Sequence, residues 1–284
     1  MKLTYYGTGA GAGIPEMFCS CRVCEHARKH RGNNIRTRSQ ATIDDTISLD
    51  FPVDAFLHTL YGGLDMRRIR HIVFTHSHHD HYMMGDIFSR PVGYPSPLHV
   101  YATEATGASI ARHIAADEEA YASGRRIRTS DFTVSLHTIA AGDPFPVGAD
   151  YTFLPLRARH ADNLQSVIYA IENHREGKHV LWAHDTGLLY DEVWEILAHY
   201  PAPFDPVSLD CTLGQGKCIT AAHMDLDRCL ATANRLKDMH LVEAETKIYL
   251  SHIGHLVERT HEEFCEDAAS LGFRVAYDGL SVQV

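Results

Sequence analysis

The six residues His76-Ser77-His78-His79-Asp80-His81 carry more chemistry than any other stretch of the chain. His76 and His78 are two apart, so on an extended backbone their imidazoles point to one side. Asp80 and His81 fall where the chain is expected to turn into a helix over Tyr82–Ser89, so they point elsewhere. Two divergent ligand pairs in so short a space suit two metal ions held side by side. The plain alternative is a solvated polar turn that happens to be rich in histidine.

Further residues of metal-ligating type follow apolar, β-like runs. His160 comes after Tyr151–Leu156, Asp185 after His179–Ala183 and His252 after Lys247–Leu250. Rigid strands that end together make a good frame for ligands. A lone histidine after a strand is more often a cap or a surface residue, so the weight lies in the ordered set. Two cations about 3.5–4 Å apart pin a water, lower its pKa and draw charge from a phosphoryl or acyl group under attack. Imidazole and carboxylate donors suit zinc, with manganese or iron at the carboxylate-richer position.

A second constellation is Cys19-Ser20-Cys21-Arg22-Val23-Cys24. Three thiols cannot all pair among themselves, and a tetrahedral zinc needs a fourth ligand. His26, His30 or a histidine brought in by the fold are the candidates. His223 stands before a helical pattern over Met224–Met239 and has the ordinary pKa of a proton donor near neutrality. A histidine near a helix start is also often just a polar surface residue.

The chain has 284 residues and a formal net charge of −10, from 36 acidic and 26 basic side chains, with 21 histidines and 7 cysteines. That charge repels a polyanion, which argues against nucleic acid as the main partner but leaves a small phosphorylated substrate open. No run approaches the roughly 18 apolar residues of a membrane span. No secretory leader is visible after Met1. A cytoplasmic, reducing setting is the expectation, where clustered cysteines more often bind metal than form disulfides.

The elements that must position these residues alternate along the chain. Strand-like runs are expected at Lys2–Tyr6, Thr46–Asp50, His71–Thr75, Leu98–Tyr101 and Phe132–Thr138, and then at Tyr151–Leu156, Ser166–Ile171 and His179–Ala183. Val207–Leu209, Lys247–Leu250 and Phe273–Ala276 complete them. Helices are expected at Asp54–Tyr61, Tyr82–Ser89, Thr103–Ala122, Asp191–His199, Met224–Met239 and Thr260–Leu271. Asp225 and Thr260 look like caps, the latter with Glu263 at the capping-box spacing. This pattern reads as an α/β fold of two sheets flanked by helices in a single domain over 1–284. A helical excursion at about 103–130 and a small metal loop at 19–26 interrupt it.

With these residues in order, the chain resembles the metallo-β-lactamase fold superfamily. The resemblance implies a four-layer αββα sandwich. It implies one metal on His76, His78 and His160, another on Asp80, His81 and His252, and Asp185 as the bridge. The cysteine loop narrows the likeness to the PhnP-type phosphodiesterases of the carbon–phosphorus lyase pathway, which open 5-phosphoribosyl 1,2-cyclic phosphate. Tyr5–Gly13, Asp185-Thr186-Gly187-Leu188, His223-Met224-Asp225-Leu226, Ser251–His255 and Tyr277-Asp278-Gly279 match that family.

By that likeness His255 completes a structural zinc site with Cys19, Cys21 and Cys24, and His223 is the general acid. Asp80 counts among the catalytic residues as well as the ligands. The cysteine loop is also similar to that of a pyrroloquinoline-quinone biosynthesis family, whose metal motif is degraded whereas the motif here is complete. The implied cofactors are two catalytic divalent metals, zinc or manganese, and one structural zinc. Homodimerisation is an open expectation. The rival readings are a tRNA 3′-end endonuclease, whose long basic arm is not found here, a lactone or thioester hydrolase, and a non-catalytic metal-binding sensor. The segments 103–130 and 205–220 match nothing and are expected at the mouth of the site.

Overall fold

Alternation of side chains along the strands sets the architecture. The computed structural model describes residues 1–88, 97–125, 133–215 and 219–284. In chain order come β1 (Lys2–Gly7), α1 (Arg22–His30), β2 (Gln40–Ile43), β3 (Ile47–Leu49) and α2 (Ala55–Leu60). Next are β4 (His71–Val73), α3 (Met84–Ile87), β5 (Leu98–Thr103), α4 (Glu104–Ala122) and β6 (Val134–Ile139). β7 (Phe145–Val147), β8 (Tyr151–Arg157), β9 (Val167–Asn173), β10 (Lys178–Ala183), α5 (Asp191–Leu197) and β11 (Pro206–Asp210) follow. The chain closes with α6 (Leu226–Asp238), β12 (Lys247–Ser251), α7 (His261–Ser270), β13 (Arg274–Val275) and β14 (Ser281–Gln283).

The strands form two seven-stranded sheets, ordered β14-β1-β2-β3-β4-β5-β6 and β13-β12-β11-β10-β9-β8-β7. Pairing is parallel from β3 to β6 and from β10 to β13, and antiparallel elsewhere. In β10, Val180 and Trp182 face the other sheet while Leu181 and Ala183 face the helices. β4 and β5 behave alike: Val73 and Tyr101 point between the sheets, Ile72 and Val100 outward. The outward faces are covered by Ala55 of α2, Ile87 of α3 and Ile110 of α4 on one side. On the other they are covered by Val193 and Trp194 of α5, Cys229 and Leu236 of α6, and Phe264 of α7. The result is the expected αββα sandwich, each layer burying one apolar stripe or face.

The strands and helices read from the sequence are present, with ends shifted by one or two residues. The end of the 82–89 helix, the start of the 132–138 strand, residues 126–130 of the excursion and residues 216–218 lie outside the described residues. Three strands escaped the pattern. β2 is only Gln-Ala-Thr-Ile, with Ala41 and Ile43 in the core and Gln40 buried against Ser48, too short a run to stand out. β7 carries Pro146 and β14 a single apolar residue; both are edge strands, where such composition is tolerated. The cysteine loop is also partly helical: Cys21 caps α1 and Cys24 lies within it. The 205–220 segment is not a mouth loop throughout, since β11 within it is a buried, interior strand.

Two helix starts carry the caps foreseen. The Asp225 side chain accepts from the Arg228 N–H, and Thr260 and Glu263 form a reciprocal capping box. Thr260→Ala is expected to cost about 1 kcal/mol of stability, and Thr260→Ser much less. Urea unfolding midpoints of the two variants check this.

Candidate metal centres

The parallel strands of both sheets end on the same side of the sandwich, and the candidate ligands sit just past those ends. This is where α/β sheets hold their ligands. β4 stops at Val73, so His76–His81 is a loop rather than the extended continuation of a strand. A turn closed by the His81 N–H donating to the His78 carbonyl gives the loop its shape. His76 Nε2 lies 2.9 Å and His160 Nε2 3.0 Å from His78 Nδ1, so these three converge through different ring atoms.

Asp80, His81, Asp185 and His252 form the adjoining group, all buried, with one donor atom each inside a 4.8 Å cluster. Asp185 touches both sets. Its Oδ2 is 3.6 Å from His76 Nε2 and 3.3 Å from His252 Nε2, and its Oδ1 is 3.8 Å from His160 Nε2. His81 Nε2 and His252 Nε2 crowd Asp185 Oδ2, at 2.5 and 3.3 Å, yet none of the three buried atoms has a partner in hydrogen-bond geometry. Buried polar atoms left in this state carry a desolvation cost unless something ligates them. The donor set and these orphaned atoms fit a divalent cation.

The electrostatics agree. Burial opposes charge on Asp185, yet His252 and His81 outweigh it and hold the carboxyl well below the usual range. Asp80 is likewise held down against burial, by His81 and His252. Burial would lower His81 and His252, but Asp185 leads the carboxylates that push both well above the ordinary imidazole value. His76 and His160 are lowered, mainly by burial. A bound cation would supply the charge that the carboxylates otherwise draw from imidazole protons.

Behind the cluster stand residues that the sequence reading passed over. Asp50 Oδ2 accepts from His81 Nδ1 at 2.7 Å, and the Asp50 carboxylate also accepts from the Thr75 N–H and hydroxyl. Asp210 Oδ2 lies 2.9 Å from His223 Nδ1 and 3.4 Å from His252 Nδ1, and its Oδ1 accepts from the Thr212 and Met224 N–H groups. Thr212 Oγ1 sits 2.8 Å from His252 Nδ1. Such partners fix which ring nitrogen faces a metal. Asp50 ends one strand expected from the sequence and Asp210 directly follows another; a carboxylate at a strand end was the available signal. Asp50, Asp185 and His252 all adopt positive φ, at 61°, 50° and 56°. Strain of this kind gathers at functional sites.

The thiolate group assembles separately. Cys19, Cys21, Cys24 and His255 bring Sγ and Nδ1 atoms together, with His255 Nδ1 at 3.3 Å from Cys19 and 3.6 Å from Cys21. Glu16 Oε2 lies 3.1 Å from the other ring nitrogen of His255. His26 and His30 stack on each other outside this group. A cavity of about 680 Å³ lined by Thr103, Arg157, Gln165 and neighbours contains none of the candidate ligands.

A family model described as Beta-lactamase superfamily domain matches residues 52–253. The chain belongs to the beta-lactamase superfamily. In this superfamily the fold is that of metal-dependent hydrolases. A diphosphatase of the PhnP family has the same fold, with 23% identity and a TM-score of 0.72 over 100% of this chain and 97% of that one. Zinc-bound PqqB from Methylobacterium extorquens superposes equally well, with 18% identity and a TM-score of 0.73 over 100% of both chains. An octanoyltransferase of Porphyromonas gingivalis is 29% identical over 165 residues, 56% of this chain. The chain spans only 31% of the length of that curated relative.

Asp50→Asn keeps the shape but weakens the grip on His81 Nδ1. Divalent-cation affinity is expected to fall about 10- to 100-fold. Metal titration of the metal-free protein, with circular dichroism to confirm an unchanged fold, checks it.

Proposed function

We propose that this superfamily member is a dinuclear metal phosphodiesterase. Its substrate on this reading is a small cyclic phosphodiester, 5-phosphoribosyl 1,2-cyclic phosphate or a related ribose phosphate. Its metals on this reading are zinc or manganese, on His76, His78 and His160 and on Asp80, His81 and His252, with Asp185 between them. A structural zinc on Cys19, Cys21, Cys24 and His255 completes the set. Metals held by these residues would supply an ionised water and neutralise phosphoryl charge.

The observation that carries the phosphodiester reading is His223. Its Nδ1 is held by Asp210 at 2.9 Å, and its ring stacks on His252 with centroids 5.7 Å apart. That leaves Nε2 as the atom free to give a proton to a departing sugar oxygen. Burial lowers its pKa, but Asp210 and Asp185 outweigh burial and keep the ring protonated above its ordinary range. A positioned acid is what an alkoxide leaving group requires.

Arg159, next to His160, supports a second anionic group on the substrate. Its guanidinium lies 4.0 Å from the centre of the Tyr190 ring, and its Nε–H donates to the Leu188 carbonyl. Neighbouring Arg157 is paired with Asp162 and Glu192, whereas Arg159 has no carboxylate partner among the described residues. A pre-oriented guanidinium with a free edge is a receptor for phosphate.

His223→Ala is expected to slow a phosphodiester with an alkoxide leaving group about 10²- to 10⁴-fold. An activated aryl ester should slow far less, and equal, small effects on both would remove His223 as the acid. Arg159→Gln should raise KM for the 5-phosphorylated cyclic substrate about tenfold, roughly the 1.4 kcal/mol of one charge-assisted contact. Bis-p-nitrophenyl phosphate should be turned over as before. No turnover of any phosphodiester by the metal-loaded protein would instead favour a sensor.

A further inference from the structure

His252 belongs to the buried cluster and His255 to the thiolate group, with only Ile253 and Gly254 between them. The backbone of this short connector is pinned. The Ile253 N–H donates to the Thr8 carbonyl at 2.8 Å, and its own carbonyl accepts from Ala10 at 3.1 Å. The Gly254 N–H donates to the Thr212 carbonyl, and the Thr212 hydroxyl donates to the carbonyl of His252. A displacement of His255 therefore has little slack to absorb it before reaching His252.

A second connector runs alongside. From Thr8 and Ala10, which hold Ile253, the chain passes Gly11, where an added Cβ would sit 3.0 Å from Asp80 Oδ2. The Gly11 backbone thus packs close beside the Asp80 carboxylate, with no room for a side chain between them. The strand-like pairing of Ile14 with Arg36 carries the segment on to Glu16, at 2.9 and 2.8 Å. The Glu16 N–H donates to Cys24 Sγ, and its carboxylate meets His255. Both connectors therefore start in the thiolate group and end on Asp80 or His252. His76, His78 and His160 make no hydrogen bond to either connector among the described residues: they contact Thr75, one another and Ala222, and meet the other group through Asp185 and Thr75.

We infer that metal binding by the thiolates is coupled directly to metal binding by Asp80, His81 and His252, and only weakly, through Asp185 and Thr75, to binding by His76, His78 and His160. The thiolate site then acts as the brace that sets two ligands of one catalytic position, with residues 8–16 and 252–255 as the coupling elements. Coupling of this kind is reciprocal: each metal tightens the other by one and the same factor. The inference rests on the metal reading above, though not on the identity of the substrate.

The experiment is a zinc titration of the metal-free protein, followed by calorimetry, for wild type and Cys21→Ser. In the variant the binding step assigned to Asp80, His81 and His252 should weaken about 5- to 150-fold, the usual range of such coupling. The step assigned to His76, His78 and His160 should stay within about twofold of wild type, a spread far below that coupling range. His81→Ala supplies the reciprocal arm, since it removes a ligand outside both connectors and leaves every thiolate in place. There, competition with a chelator should show the thiolate site weakened by the same factor. Wild-type thiolate affinity in His81→Ala overturns the inference even if Cys21→Ser does not fold. Equal weakening of both catalytic steps in Cys21→Ser overturns its selectivity. If wild type binds zinc only at the thiolates, the dinuclear reading itself fails, and that is visible in the wild-type titration alone.

Discussion

Burying the carboxylate of Asp185 is the constraint on which the site is built. An ion taken out of water costs several kcal/mol unless it is closely compensated. Here compensation comes from imidazoles delivered by separate segments: His76 and His81 after β4, His160 after β8 and His252 after β12. No single strand could supply them, so the two sheets must bring their parallel ends together. Asp50 and Asp210 repeat the problem one layer out. Each buries its charge by taking N–H groups from the backbone and from the imidazoles it orients. The positive φ values at Asp50, Asp185 and His252 are part of the cost of that convergence.

Much of this was legible before any coordinates. The apolar run of β10 and others like it, and the spacing of the histidine motif, each follow from local chemistry, and so placed most strands and the ligands that follow them. What could not be read was anything that depends on which strand ends meet. Asp50 looks like the last residue of a short apolar run, and only the fold puts His81 beside it. Thr212 sits in a stretch with no recognisable pattern and turns out to hold His252. β2 was missed because a four-residue run with two apolar side chains is too short to read, and its buried Gln40 is satisfied by Ser48 and His58 only once the chain has folded. The pleat argument for His76 and His78 reached a convergent pair by the wrong route, since a loop and unlike ring nitrogens bring them together.

The fold by itself does not select a reaction. A PhnP-family diphosphatase and a zinc-bound PqqB superpose on this chain about equally well. What distinguishes a catalyst from a binder on such a scaffold is the chemistry around the cluster. In this chain that chemistry is an imidazole backed by a carboxylate beside the cluster, His223 with Asp210, and a guanidinium stacked on tyrosine at Arg159, next to His160 in the chain. Both stand on loops next to strand ends, where small sequence changes alter function without disturbing the core.

The pairing of residues 8–10 with Ile253 has a consequence for how the protein comes into being. It joins points almost a whole chain apart, as does the Asp278 carboxylate that accepts from the N–H groups of Thr8 and Thr37. Contacts of such long range form late, because a large loop must close before they contribute. During synthesis the His76–His81 loop emerges long before Asp185 and His252 exist to face it. A chain released only as far as β12 has the carboxylates, the first set of histidines and the thiols, but lacks His252 and His255, which complete the two candidate ligand groups. Assembly of both groups therefore waits until residues 252–255 have emerged, and until then the earlier histidines and cysteines are loose ligands open to whatever metal arrives first.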